Sequence, residues 1–221
     1  METSEKHYLL SIDNGTQSIR AMVFDDCGEL VAKSKVDIES YNSSAPGLAE
    51  QCAEYFWSGL CEACQSLWPM LDFPREAIKA VSVTTQRATA VPMDARGQAL
   101  HPAISWLDQR RVESEPRLGP LQKLAIRAIG ARDAVAEFHA NAEANLFAEE
   151  RPDIWAKVDK FTLLSGYHSY RLTGAYTDAV ASQVGYIPFD FRNQRWASAS
   201  DWKWRTLAIQ RSMLPELRTA G

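Results

Sequence analysis

The chain has 221 residues, of which 46% are hydrophobic and 24% charged, with a formal net charge of −4. That length supports one sizeable core or one large lobe of a bigger protein, and the mildly acidic balance excludes the basic surface that nucleic acid requires. Met-Glu-Thr-Ser-Glu-Lys-His at the start carries no apolar leader, and no run approaches the roughly 20 apolar residues needed to span a bilayer, so neither export nor a membrane partner is expected.

Tyr8 to Ile12 and Ile19 to Phe24 read as strands, rich in apolar and β-branched residues. Asp25-Asp26-Cys27-Gly28 is a turn signal, and Glu29 to Ile38 reads as a third strand in which Val31, Lys33, Lys35 and Asp37 alternate with Leu30, Ala32 and Val36. These make an antiparallel meander. After a loop from Ser40 to Gln51, a helix is expected from about Cys52 to Leu71, then strands at Ile78 to Thr84 and Thr89 to Met93, the second ending in the turn Asp94-Ala95-Arg96-Gly97. A meander followed by helix and strand predicts an α/β lobe with a mixed sheet, because a helical crossover returns a chain parallel to an earlier strand. From Gln109 to about Trp155 the sequence reads as helical, with Leu121, Leu124, Ala125, Ala128 and Ile129 at one spacing. Pro152 suits a first helical turn, and Thr162 to Leu172 reads as a helix capped by Gly174.

The four cysteines lie in the first third, and Cys61-Glu-Ala-Cys64 has C-x-x-C spacing. Helical spacing with Phe56, Leu60, Leu67 and Trp68 puts both sulfurs on or near an apolar helix face, which favours reduced thiols over a redox or zinc site. Reduced thiols without an export signal make the cytoplasm the expected compartment.

Two stretches carry residues suited to chemistry. In Asp13-Asn14-Gly15-Thr16-Gln17-Ser18, the backbone near Gly15 can form an anion-holding nest, Thr16 and Ser18 add hydroxyls, and Arg20 adds a cation. Asp13 would repel a phosphate unless Mg²⁺ lay between them; an Asn-Gly hairpin with a solvated aspartate is the alternative. In the second stretch, Gln86-Arg87-Ala88 ends a strand and Trp106-Leu107-Asp108-Gln109-Arg110 follows, offering an indole face with carboxylate, amide and guanidinium groups for a polyhydroxylated ligand. A core tryptophan beside a solvated segment is the alternative there. Asp178, Ser182 and Asp190 read as turn and cap residues.

Taken together, the motifs resemble the amino-terminal lobe of the FGGY family of carbohydrate kinases, which includes xylulokinases, ribulokinases and glycerol kinases. "IDNGTQSIRAMVFD" resembles the family's opening D-x-G-T-[TS]-S-x-[RK] pattern, "AVSVTTQRATAVPMDARGQALHPAISWLDQR" its sugar-carrying W-x-D-x-R segment, and "YRLTGAYTDAVASQVGYIPFDFRNQRW" its Y-R-L-T-G segment. "GLAEQCAEYFW" resembles the G-W-x-E-Q stretch, with Leu48, Cys52, Ala53 and Phe56 departing. The resemblance implies a ribonuclease-H-like lobe of the actin, heat-shock chaperone and sugar kinase superfold, one domain over residues 1–221 with a second lobe lying outside this chain. It implies ATP and Mg²⁺ as cofactors, Asp13 as the catalytic metal-holding residue, and Gly15, Thr16, Gln17, Ser18 and Arg20 toward the phosphates. Gln86, Arg87, Ala88, Trp106 and Asp108 would bind a small sugar or polyol, a pentulose such as xylulose being favoured. Glycerol kinases carry glutamate at the position of Ala88, and xylulokinases carry Met-His at Arg87-Ala88; this chain matches neither. The general base is expected beyond Gly221, so the chain alone is expected to be inactive. A homodimer is a possible partner, and a non-catalytic sugar-binding module or a kinase for glycerol or another polyol is the alternative function.

Overall fold

The computed structural model describes residues 6–39, 41–43 and 45–219. Its elements begin with β1 (Tyr8–Asn14), β2 (Ser18–Asp25), β3 (Leu30–Asp37), β4 (Glu50–Gln51), α1 (Ala53–Leu67), β5 (Ile78–Thr85), β6 (Ala90–Met93) and β7 (Ala103–Ile104). Four helices follow, α2 (Pro120–Ala128), α3 (Arg132–Ala140), α4 (Glu143–Glu150) and α5 (Pro152–Trp155), then β8 (Lys160–Leu163), α6 (Leu164–Thr173), β9 (Thr177–Ala179), β10 (Phe189–Asp190), β11 (Arg195–Trp196), α7 (Lys203–Thr206) and β12 (Glu216–Arg218). Contacts divide the chain into two compact units, one holding β1 to β3, α1 and β5, the other β4 and everything from β6 onward, with a boundary between Gln86 and Arg87. Among the described residues no helix is long and apolar enough to cross a membrane.

In the first unit the strand order is β3-β2-β1-β5. The meander strands pair antiparallel and β1 pairs parallel with β5, so the sheet is mixed as expected. Alternation sends Leu10 and Ile12 of β1, Ile19, Ala21 and Val23 of β2 and Ala32 of β3 to one core with Leu60, Ala63 and Leu67 of α1. The buried face of α1 recurs at helical spacing, Ala53, Phe56, Leu60, Ala63 and Leu67. Gly59 permits the close approach, because a Cβ there would lie 2.8 Å from Ile19 Cδ1. The Ser34 hydroxyl donates to the Ala63 carbonyl at 2.5 Å, tying β3 to the helix. The helix stops earlier than the expected Leu71, and Trp68–Met70 forms a 3₁₀ turn. Pro69 has no N–H to continue the α-helical ladder. Cys61 and Cys64 are half-buried thiols on this helix, and burial pushes the Cys64 thiol up to about 11.

The second unit is built on a four-stranded sheet of order β4-β7-β6-β8, antiparallel throughout. Every residue of β6 is buried. Its core joins Ala90, Ile104, Val112, Leu146, Phe147, Phe161, Leu207 and Ile209. The Asp94 turn forms as expected, with its carboxylate accepting from the N–H groups of Arg96 at 2.8 Å and Gln98 at 2.9 Å. Gly97 closes it at φ +77°, and a Cβ there would meet the Tyr170 ring at 2.1 Å. α6 ends at Gly174 in the left-handed conformation, the expected cap. Asp178 has the expected structural role: buried, it accepts from Ser165 Oγ at 2.9 Å, Gln183 Nε2 at 2.8 Å and its neighbour Ala179 N at 2.8 Å. Asp190 likewise holds the β10–β11 turn through the N–H groups of Arg192 and Asn193, each at 3.1 Å.

Two expectations are corrected here. The segment from Thr162 does not begin as a helix: Lys160–Leu163 is strand β8, paired with Ala90 to Met93, and α6 starts only at Leu164. A buried strand partner overrides the local helical preference. The region from Gln109 to Trp155 is helical only from Pro120, in four short helices. In α2 the apolar stripe faces solvent, with Leu121 at 82%, Leu124 at 67% and Ile129 just beyond at 77% exposure, while the neighbouring Ile126 is buried. Spacing identified a helix there, but the apolar stripe it picks out is not the buried face.

Candidate active site

The residues of the first stretch sit where β1 turns into β2. Three backbone bonds fix that turn: Gly15 N to Ser18 O at 3.0 Å, Ile38 N to Gln17 O at 2.9 Å and Gln86 N to Asn14 O at 2.7 Å. Register then places Asp13 opposite Arg20 on β2 and opposite Thr84 on β5. The Asp13 carboxylate accepts from Arg20 NH1 at 2.9 Å and from the Thr84 hydroxyl at 3.1 Å, with side-chain exposures of 36% and 37% for the Asp13–Arg20 pair. Gln17 is exposed, Gly15 and Thr16 are half-buried, and Ser18 is buried at 3% exposure. Gln86 is buried at 8% beside the turn. The result is a carboxylate held at the end of a central strand, next to a tight turn rich in hydroxyls and amides.

In the second unit, Ala88, Trp106 and Asp108 come together around a cavity of about 210 Å³, which Arg110, Asn141, Glu143, Gly185 and Tyr186 also line. Arg87 is exposed and lies outside that lining. Ala88 holds φ +46°, a left-handed conformation rare for a residue with a side chain. Trp106 is 51% exposed, which leaves much of its side chain accessible.

Asp108 is fixed from several sides. Its carboxylate accepts from Ala49 N at 2.9 Å, from Arg110 N at 3.0 Å and from the Arg110 guanidinium through Nε at 3.0 Å and NH2 at 2.8 Å. Arg110 also reaches Glu50 at 2.6 Å and Glu150 at 3.1 Å. Burial works against the Arg110 cation, but its bonds to Asp108 and Glu50 outweigh that and hold the guanidinium above its ordinary pKa. Glu143 opens α4. Burial pushes its carboxyl up to about 7, against a bond from its own backbone N–H, and the Asp108 carboxylate adds repulsion.

The W-x-D-x-R spacing made Trp106, Asp108 and Arg110 visible in the sequence. Asn141, Glu143 and Tyr186 were not singled out, and no motif signals them: they come to the cavity from the α3–α4 connection, the start of α4 and the loop before β10.

Comparisons with known proteins point to one family. The sequence model described as "FGGY family of carbohydrate kinases, N-terminal domain" matches residues 8–221. A glycerol kinase from Xanthobacter autotrophicus is 29% identical over 222 residues, covering 96% of this chain and 43% of that protein. A xylulose kinase from Lactococcus lactis subsp. lactis is 25% identical over 211 residues, covering 95% and 41% respectively. Among solved structures, a xylulose kinase from Brucella ovis superposes with a TM-score of 0.77 at 22% identity, covering 96% of this chain and 43% of that one. Plasmodium falciparum glycerol kinase with ADP gives 0.72 at 20% identity, with the same coverages of 96% and 43%. The chain thus spans less than half the length of these relatives.

Proposed function

The chain belongs to the FGGY family of carbohydrate kinases, and from that premise we propose that it supplies the phosphate-facing hairpin and the substrate cavity of an ATP-dependent kinase. The reaction is transfer of the γ-phosphoryl group to a hydroxyl of a small sugar or polyol, with a pentulose such as xylulose as the favoured acceptor. The observation that carries this reading is the presence, in one chain, of a strand-end carboxylate beside a hydroxyl-rich turn and of an indole-lined cavity with a fixed carboxylate and guanidinium.

The donor set at the hairpin suits Mg²⁺. A single, partly exposed carboxylate is what this hard cation uses when phosphate oxygens and water complete its shell. Asp13 would hold the ion, whose charge offsets that of the transferring phosphoryl group. Arg20 and Thr84 orient the Asp13 carboxylate, and the turn from Gly15 to Ser18 is the proposed phosphate contact. In the cavity, Trp106 would stack on the CH face of the acceptor while Asp108, kept in place by Ala49 and Arg110, receives its hydroxyls.

Coupled ADP release from the full-length gene product, assayed with ketopentoses, pentitols and glycerol, tests the reading. Turnover of at least one acceptor is expected, and turnover of none overturns it. Asp13→Ala in that protein should lower kcat by orders of magnitude, and unchanged kcat would remove Asp13 from its role. Phosphoryl transfer depends chiefly on positioning and charge neutralisation around the whole phosphate, so the 221-residue chain assayed alone is expected to release no ADP.

A further inference from the structure

The carboxyl of Glu143 is the acidic group of the cavity lining that the family motifs do not account for. Four titratable or charged residues line the cavity: Asp108, Arg110, Glu143 and Tyr186. Among the described residues Arg110 is its one cation, and that guanidinium is already engaged by Asp108, Glu50 and Glu150 at 2.6–3.1 Å. Among the described residues no cation and no side-chain donor pairs with Glu143, whose bond is to its own backbone N–H. A sheltered carboxyl without a partner is relieved either by keeping its proton or by a ligand that brings donors to it.

We propose that Glu143 is the substrate-selecting carboxyl of this cavity: it hydrogen-bonds adjacent hydroxyls of a neutral polyol lying against Trp106, and with Asp108 it rejects sugars that carry a carboxylate or a phosphate. The inference rests on the cavity being the acceptor site. Two features set the class of ligand. The lining carries two carboxylates against one guanidinium that is bonded to two further carboxylates outside it, so an anionic acceptor meets a net negative wall. A neutral polyol meets no such repulsion, and its hydroxyls can both donate to a carboxylate and accept from a carboxylic acid. The volume of about 210 Å³ lies below the usual range for drug-sized ligands and suits a small acceptor. Because burial moves the Glu143 carboxyl to about 7, the same side chain serves as acceptor above neutrality and as donor below it.

Saturation-transfer NMR on the 221-residue chain, with xylitol, D-xylulose and glycerol as neutral ligands and gluconate and xylonate as matched acids, tests this. The unaltered chain should favour the neutral ligands. Glu143→Gln keeps the shape and removes the charge, and it should shift the neutral-to-acid affinity ratio toward the acids by about tenfold or more, the scale of one hydrogen bond to a charged group. It should also abolish any pH dependence of polyol binding centred near 7. Glu143→Ala should weaken polyol binding itself by a similar factor. A ratio and a pH profile that both variants leave unchanged overturn the inference while leaving the cavity as the acceptor site. Failure of the unaltered chain to bind any neutral ligand, or binding indifferent to Trp106→Ala, overturns the acceptor-site reading, and the inference with it.

Discussion

The hairpin unit and the cavity unit are held together by different means. The first is a meander whose strands pair with their sequence neighbours, closed by one helix and an apolar core. The charges of its candidate site, Asp13 and Arg20, are each more than a third exposed, so their pairing adds on the order of 0–1 kcal/mol. The second unit fixes its cavity wall with one guanidinium. Arg110 gathers Asp108 from its own loop, Glu50 from β4 and Glu150 from the end of α4. One unit should therefore be sensitive to lost volume and the other to lost charge.

Arg110→Ala should have the largest effect. It leaves Asp108 and Glu50, whose side chains are 4% and 8% exposed, without their cation, and breaking such a pair from one side costs about 3–5 kcal/mol. Urea unfolding measures the loss, and hydrogen exchange should place it in β4, β7 and the Trp106 to Arg110 loop while β1 to β3 stay protected. Leu60→Ala should do the converse, costing about 2–5 kcal/mol and deprotecting the meander. If either variant weakened both units equally, the contrast between them would fail.

Next in size is a dependence on pH. His168 is fully buried, and burial, with the Arg171 cation adding to it, lowers its pKa from 6.5 to about 3. The unfolded chain then binds a proton at this site that the folded chain refuses, so His168 contributes stability above about 6.5 that is lost as pH falls toward about 3. Glu143 acts in the opposite sense: its pKa rises from 4.5 to about 7, so it destabilises the fold progressively as pH climbs through that interval. Thermal melts should show Glu143→Gln gaining stability at pH 8 and little at pH 4. A melting temperature equally raised at both values would mean that the gain comes from packing. The smallest effect expected is that of Asp13→Ala on the stability of the isolated chain, a change of no more than about 1 kcal/mol, in contrast to the large loss of kcat that the proposed function assigns to the same substitution.

Legibility in the sequence follows the same division. The meander could be read because strand alternation and turn residues are local signals, and they gave β1 to β3 nearly to the residue. The mixed sheet followed from the helix placed between β3 and β5. In the second unit the decisive contacts cross long stretches of sequence. Lys160–Leu163 is a strand because β6 lies beside it, and no pattern within the segment says so. The stripe from Leu121 to Ile129 has helical period yet faces solvent, since period alone does not say where the core lies. At the cavity, motif spacing pointed to Trp106, Asp108 and Arg110, whereas Glu143 is an ordinary acidic residue at a helix start until the fold brings it to the same wall.

The sheltering of Arg110 has a consequence for behaviour in salt. At physiological ionic strength a mobile ion atmosphere screens exposed charges over about 8 Å, and it reaches the partly exposed Asp13–Arg20 pair beside the turn of the hairpin. It has far less access to a guanidinium 19% exposed and clasped by a carboxylate 4% exposed. Added electrolyte should therefore loosen the hairpin's charge pair while the cavity keeps its wall. Any salt dependence of ligand binding in the cavity would then report on the ligand's own charge rather than on a change in the shape of its wall.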